Sequence, residues 1–176
     1  MIDRPSVYSD WETEYRNVEA IHMKETFQSF PSAVVAIAAL VDGTPTVMIA
    51  TSFTVGVSYE PPMCLFAAQK SSTTWPQLAT AECVGISILG TRHQAHIRQL
   101  GSRKAANRLD GIEWTQLPSG AITLYDAPMW LECSVAAQVD AGDHHVVLFE
   151  VKGSSLVNEH EPLIYHNTTF GTYIPR

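Results

Sequence analysis

Two hydroxyl-rich segments hold the side chains best suited to gripping a small polar or anionic ligand. The first, Ala50-Thr51-Ser52-Phe53-Thr54, follows an extended apolar stretch. A strand that ends in small hydroxyl residues presents backbone N–H groups and hydroxyls together, a grip for a phosphate or the polar edge of a ring. The second, Lys70-Ser71-Ser72-Thr73-Thr74-Trp75, repeats that chemistry just before a helical stretch, with a lysine beside it. Helix N-termini favour anions. On composition alone, both segments also read as ordinary capping and turn stretches.

The other reactive residue types point to less. The histidines are His22, His93, His96, His144, His145, His160 and His166. His93 and His96 stand three apart on an expected helix, the spacing of a solvated face as much as of a ligand pair. No carboxylate at regular spacing completes a metal site, and none is expected. Cys64, Cys83 and Cys133 lie in apolar runs without a CxxC pattern and read as buried, reduced thiols. The chain has no GxGxxG, P-loop, GxSxG or HExxH, which argues against Rossmann-type dehydrogenase, kinase, hydrolase and zinc-protease chemistry.

The elements that must position these residues are mostly short and extended. Residues 1–9 read as an arm and 10–29 as a helix, with Asp10 a plausible cap and Pro31 beyond its end. Ala33–Val41 is a continuous apolar strand, Asp42-Gly43 a hairpin turn, and Pro45 opens the next strand. Strands follow at Val55–Ser58, Met63–Ala68, Cys83–Leu89, Ile122–Tyr125, Met129–Val139, His144–Val157 and Leu163–His166. Residues 73–81 form a short helix with Pro76 in its first turn, and Gln94–Leu100 another. Residues 101–120 read as a polar loop. Hairpin turns outnumber strand–helix–strand alternation, so the expected architecture is a mainly β, antiparallel barrel with flanking helices. Closing the barrel would remove exposed edges.

Composition narrows the partners. A chain of 176 residues suits one domain, with 1–24 as an arm and helix and 25–176 as the folded unit. The net charge of -7 comes without a Lys/Arg cluster, so nucleic acid is an unfavoured partner. The longest apolar run, Ala33–Val41, falls well short of the roughly 20 residues that span a bilayer. The polar N-terminus lacks a signal-peptide core, so no membrane association is expected, and the expected compartment is the cytoplasm.

Six motifs in order carry a family resemblance: Phe30-Pro31, Asp42-Gly43-Thr44-Pro45, Thr51-Ser52-Phe53, Ser58–Pro62, Ser71–Trp75 and Gly142-Asp143-His144. Together they resemble the short-chain flavin reductase family, the reductase components of two-component flavin-dependent monooxygenases. The resemblance implies a flavin-binding split β-barrel that pairs as a homodimer. It implies hydride transfer from NADH or NADPH to FMN or FAD, with FMN ahead, and delivery of reduced flavin to a partner monooxygenase.

Carried over by position, Pro45, Thr46, Val47, Met48, Ile49, Thr51 and Ser52 would line the ring and ribityl chain. Ala67, Ala68 and Gln69 would follow from the next strand. Thr73 and Thr74 would meet the phosphate, with Arg98, or Arg108 as second choice, adding charge. Gly142, Asp143 and His144 would lie on the nicotinamide side, His144 positioning the nicotinamide or simply bonded to Asp143. His145, on the opposite strand face, would not share that role. No acid–base residue is essential, because the cofactors carry the chemistry.

Three positions depart from the family pattern. Val47 and Ile49 stand where it has Gly and Thr, and Leu109 where it has Phe. Val47 alters the backbone's approach to a ring, and Ile49 removes a hydroxyl. Two other readings fit a similar barrel: a flavin-binding electron carrier, and a non-enzymatic barrel that binds haem or another ligand.

Overall fold

The computed structural model describes residues 20–157 and 159–174. Its strands are β1 (Ser32–Ala33), β2 (Val35–Val41), β3 (Thr44–Ala50), β4 (Thr54–Tyr59), β5 (Pro62–Gln69) and β6 (Val84–Ile88). They continue as β7 (Trp114–Gln116), β8 (Ile122–Leu124), β9 (Met129–Ala141), β10 (His144–Leu156), β11 (Ile164–His166) and β12 (Thr169–Gly171). The helices are α1 (Ala20–Gln28), α2 (Trp75–Leu78) and α3 (Ile97–Leu100). Of the expected helix over 10–29, positions 10–19 lie outside the described residues, as does the arm at 1–9.

The main sheet has seven strands in the order β3-β2-β6-β9-β10-β5-β4, and all its pairs are antiparallel. Two-residue turns close its hairpins. Asp42 and Gly43 both take positive φ (48° and 76°) between β2 and β3, the combination that matches strand twist. Gly142 at φ 60° opens the turn between β9 and β10.

The ladder is open, not the closed barrel expected. Among the described residues no pairing joins β3 to β4. Ser52, in the link between them, bonds instead to β5: its Oγ donates to the Ala67 carbonyl (2.9 Å) and accepts from the Ala67 N–H (3.2 Å). Two short strands lay hidden in stretches without clear periodicity: β7 inside the expected loop, and β12 beyond β11. The expected helix at 94–100 begins as a 3-10 turn, Thr91–His96, before α3.

Both faces of the central strands are covered, which explains the uninterrupted apolar run in β2. Val35, Ile37 and Ala39 join one core with Phe66, Ile86, Cys133 and Phe149, drawn from β5, β6, β9 and β10. The alternate residues Val34, Ala36 and Ala38 join a second core with Leu89, Leu100, Ile122 and Leu163. Burying a Phe such as Phe66 or Phe149, both at 0% exposure, stabilises the fold by about 1.5–3 kcal/mol each.

That first core also places α2. Trp75 packs edge-on to Phe66 (4.8 Å between centroids) and Phe149 (6.0 Å). Its Nε1–H donates to Gln138 Oε1 at 2.9 Å. The indole therefore anchors the Ser71–Thr74 turn against the sheet. Ser72 Oγ accepts the N–H groups of Thr74 and Trp75 (3.3 and 3.1 Å).

His93 is the one buried histidine of the described set, at 4% exposure. Gly90 N–H donates to its Nδ1 (3.1 Å), so the neutral ring carries its proton on Nε2, 2.9 Å from the Tyr125 carbonyl. Burial pushes the ring's pKa below its ordinary value. The unfolded chain then binds a proton here near pH 6.5, where the folded chain does not. This stabilisation is full above that pH and falls as pH drops through it towards the folded value. Urea midpoints measured over a pH series should decline on the acid side, and His93→Gln should flatten the decline. An equally steep decline in the variant would remove His93 as the cause.

Candidate functional site

An open cleft of about 920 Å³ runs between the end of β3, the end of β5 and the C-terminal hairpin. Met48, Ile49, Ala50, Thr51 and Ser52 supply one wall, and Ala67 and Gln69 another. Strand alternation explains why Ala67 and Gln69 line it and Ala68 does not: Ala68 is buried in the first core. Tyr165 and Phe170, paired at 5.3 Å across β11 and β12, complete the lining with His144 and the Ser71–Thr74 turn.

Arg108 is the cation built into this site. Its Nη1 donates to the Val47 carbonyl (2.7 Å) and to Thr74 Oγ1 (2.9 Å), and its Nε donates to the Ser102 carbonyl (2.8 Å). All three acceptors are neutral, and none of the salt bridges found among the described residues includes Arg108. Burial lowers its pKa, yet a guanidinium stays charged in proteins. The result is a fixed, half-buried positive charge against the Thr74 hydroxyl, suited to an anionic group. Gln99 holds the backbone that carries it: its Nε2 lies 2.6 Å from the Asp110 carbonyl and 3.3 Å from that of Arg108.

Arg108 was the second choice from sequence; the first choice, Arg98, and the lysine beside the second hydroxyl segment sit elsewhere. Arg98 is exposed and does not line the cleft. It follows Ile97, the α3 residue that does, and one helical step turns it to solvent. Lys70 pairs with Asp140 at 3.5 Å instead.

The remaining expected residues divide by backbone geometry. Met48, Ile49, Thr51, Ser52, Ala67, Gln69, Thr73, Thr74 and His144 meet in the cleft. Pro45, Thr46 and Val47 line a neighbouring chamber instead, and the Val47 side chain is buried in the second core. Its bulk therefore stays out of the cleft. Ile49 packs against Gly101, where an added Cβ would sit 3.0 Å from Ile49 Cδ1. Gly142 and Asp143 form the turn before β10 and do not line the cleft.

Asp143 acts on His144 directly: His144 Nδ1 lies 2.8 Å from Asp143 Oδ1. That bond holds the Asp143 carboxyl below the usual carboxylate range. With Nδ1–H donating, the neutral ring leaves Nε2 as an acceptor. The Lys70 N–H donates to the Asp143 carbonyl (3.0 Å) and ties this turn to the end of β5. His145 points away, with Nδ1 2.8 Å from Asp140 Oδ1.

Arg103, Ser102, Tyr165 and Phe170 line the cleft without having been singled out from sequence. The first two lie in a polar stretch without period. The aromatic pair had one local signal, the turn residues Asn167 and Thr168, both at positive φ between β11 and β12. No group of three or more metal-ligating side chains occurs among the described residues.

Residues 27–173 match the flavin reductase like domain. The reductase subunit HsaB of a flavin-dependent monooxygenase from Rhodococcus jostii (strain RHA1) is 30% identical over 137 residues, which span 78% of this chain and 69% of the relative. An NADH:FMN oxidoreductase from Rhodococcus erythropolis is 34% identical over 140 residues, 76% of this chain and 72% of the relative. The crystal structure of nitrilotriacetate monooxygenase component B from Mycobacterium thermoresistibile superposes with a TM-score of 0.83 at 26% identity, covering 88% of this chain and 87% of that one. With most of its length inside that domain, the chain belongs to the flavin reductase family.

Proposed function

We propose that this chain is an NAD(P)H-dependent flavin reductase that supplies reduced flavin to a partner monooxygenase. The observation that carries the reading is Arg108: a half-buried guanidinium bonded to neutral acceptors, the Thr74 hydroxyl among them, in an open cleft. A flavin phosphate satisfies that charge. Met48, Ile49, Thr51, Ser52, Ala67 and Gln69 would line the ring and ribityl chain.

Bound together, the two cofactors would supply the hydride-transfer chemistry. The chain's own part is placement. Arg108 and Thr74 hold an anion. Ser52 braces the β3–β4 link on Ala67, so Thr51 keeps its place in the wall. Asp143 fixes the His144 ring, whose Nε2 can accept a bond from a carboxamide N–H.

The curl of the sheet supports the split-barrel form, since β2 and β5 stand apart in the strand order yet share one core. Exposed Val55, Val57 and Tyr59 on the edge strand β4, with Val135 and Val139 on β9, support a homodimer. The relative named as a monooxygenase reductase subunit supports an oxygenase partner. No helix among the described residues is long and apolar enough to cross a membrane.

The test is oxidation of NADH and NADPH followed at the nicotinamide absorbance with added FMN or FAD. Turnover that rises with free flavin is the expected result. A yellow protein that oxidises neither nicotinamide would overturn the reading in favour of an electron carrier. In the same assay His144→Ala should raise the nicotinamide KM about fivefold, the worth of one hydrogen bond, and move the flavin KM less. An unaltered nicotinamide KM takes His144 out of the site.

A further inference from the structure

Beside the main cleft lies a second chamber of about 480 Å³. The two share Thr74 and Arg108. The second is walled by Pro45, Val47, Leu109 and the half-buried indole of Trp114, with Asp110 at its lining. Among the described residues, Arg108 is the one cationic residue lining it. Arg108 thus lines both cavities.

That placement discriminates between flavins. FMN carries its charge at one end, so a phosphate on Arg108 would leave the second chamber with nothing to hold. FAD carries its charge in the middle, as a diphosphate with a nucleoside beyond it. An indole and aliphatic walls suit the flat face of a purine, for which aromatic stacking is the usual grip. The Asp110 carboxylate suits ribose hydroxyls and repels any further phosphate.

We propose that this chamber takes the adenosine half of FAD and makes FAD, not FMN, the preferred flavin. The proposal rests on the flavin-reductase reading and runs against the order expected from sequence.

The test titrates the full chain with FAD and with FMN, following quenching of flavin fluorescence. The ratio of the two dissociation constants should favour FAD by about tenfold or more, as one stacked base supplies. Trp114→Ala should bring the ratio close to unity. Should that variant fail to fold, Ala106→Trp fills the same chamber from an exposed position and should do likewise.

Equal affinity for the two flavins in the unaltered chain overturns the proposal, as does an unchanged ratio in folded variants. A raised KM for NADH with the FAD:FMN ratio intact assigns the chamber to the nicotinamide nucleotide and overturns it too. Binding of neither flavin overturns the reductase reading, and the proposal with it.

Discussion

Arg108→Ala should raise the dissociation constant for FMN by about 30-fold, with a smaller effect on riboflavin, which lacks the phosphate. A hydrogen bond between charged partners is worth about 1.5–3 kcal/mol, and each 1.4 kcal/mol is about tenfold in affinity. Among the described residues no salt bridge includes Arg108, so its charge is left for a ligand to meet. Removing it also strips a donor from the Val47 carbonyl, Thr74 Oγ1 and the Ser102 carbonyl. Orphaned acceptors cost stability, so affinity alone would confuse a lost contact with a loosened loop. The preference for FMN over riboflavin separates them. A loosened loop weakens both ligands, and a lost phosphate contact weakens only FMN.

Two further readouts sharpen this test. Arg108→Lys keeps the charge without the planar fork, and should fall between wild type and Ala. Raising the salt should weaken FMN binding in the unaltered chain more than in Arg108→Ala. If the unaltered chain binds riboflavin and FMN equally well, no phosphate meets Arg108 and the site assignment fails.

Why Arg108 and not Arg98 carries the charge shows what a sequence can disclose. Features written into neighbouring residues were legible. Asp42-Gly43 announces its turn because both positions need positive φ. The run at Val35–Val41 announces a strand covered on both faces. The two hydroxyl segments are legible as places where backbone and side-chain donors gather.

Features made by distant partners were not. Lys70 stands beside the second hydroxyl segment in sequence, but Asp140 claims it. The Ser52 hydroxyl reads as a ligand contact, but Ala67 occupies it as donor and acceptor. Arg98 sits on a recognisable helix, so it ranked ahead of Arg108 in the sequence reading. Arg108 arrives on a loop without period, held by Gln99 through carbonyls that carry no side-chain signature. The open ladder has the same origin. The strands were legible, but whether β3 meets β4 depends on a pairing that local pattern does not encode.

The same distinction yields the largest expected effect on stability, at a residue with no chemistry at all. Gly85 lies in the middle of β6, paired with Ala38 of β2 and Glu132 of β9. A Cβ placed there would stand 2.0 Å from the Ile122 carbonyl oxygen and 2.6 Å from its carbon. The obstacle is backbone, so no rotamer change relieves it. Along β6, Val84, Ile86 and Ile88 face the first core, and Gly85 and Ser87 face the other way. On that outward face the backbone of β8 lies directly on the sheet. Ser87 Oγ accepts the Leu124 N–H at 2.9 Å, and Ala39 bridges to Ala121. Small residues on β6 are thus what let the β7–β8 hairpin dock. That hairpin buries Ile122 and Leu124 in the second core and carries Trp114 to the chamber beside Arg108. Gly85→Ala must push β8 outward or displace β6 within three paired strands. Overpacking against side chains costs about 1–3 kcal/mol. Against an immobile backbone we expect about 4 kcal/mol, at the exceptional end for a single substitution. Urea denaturation reads this out, with Gly171→Ala as control, since nothing lies within 4 Å of an added Cβ there. The control should stay within about 0.5 kcal/mol of wild type. A Gly85→Ala chain that melted with the control would mean that β8 rides higher on the sheet, and that the walls of both cavities stand further apart.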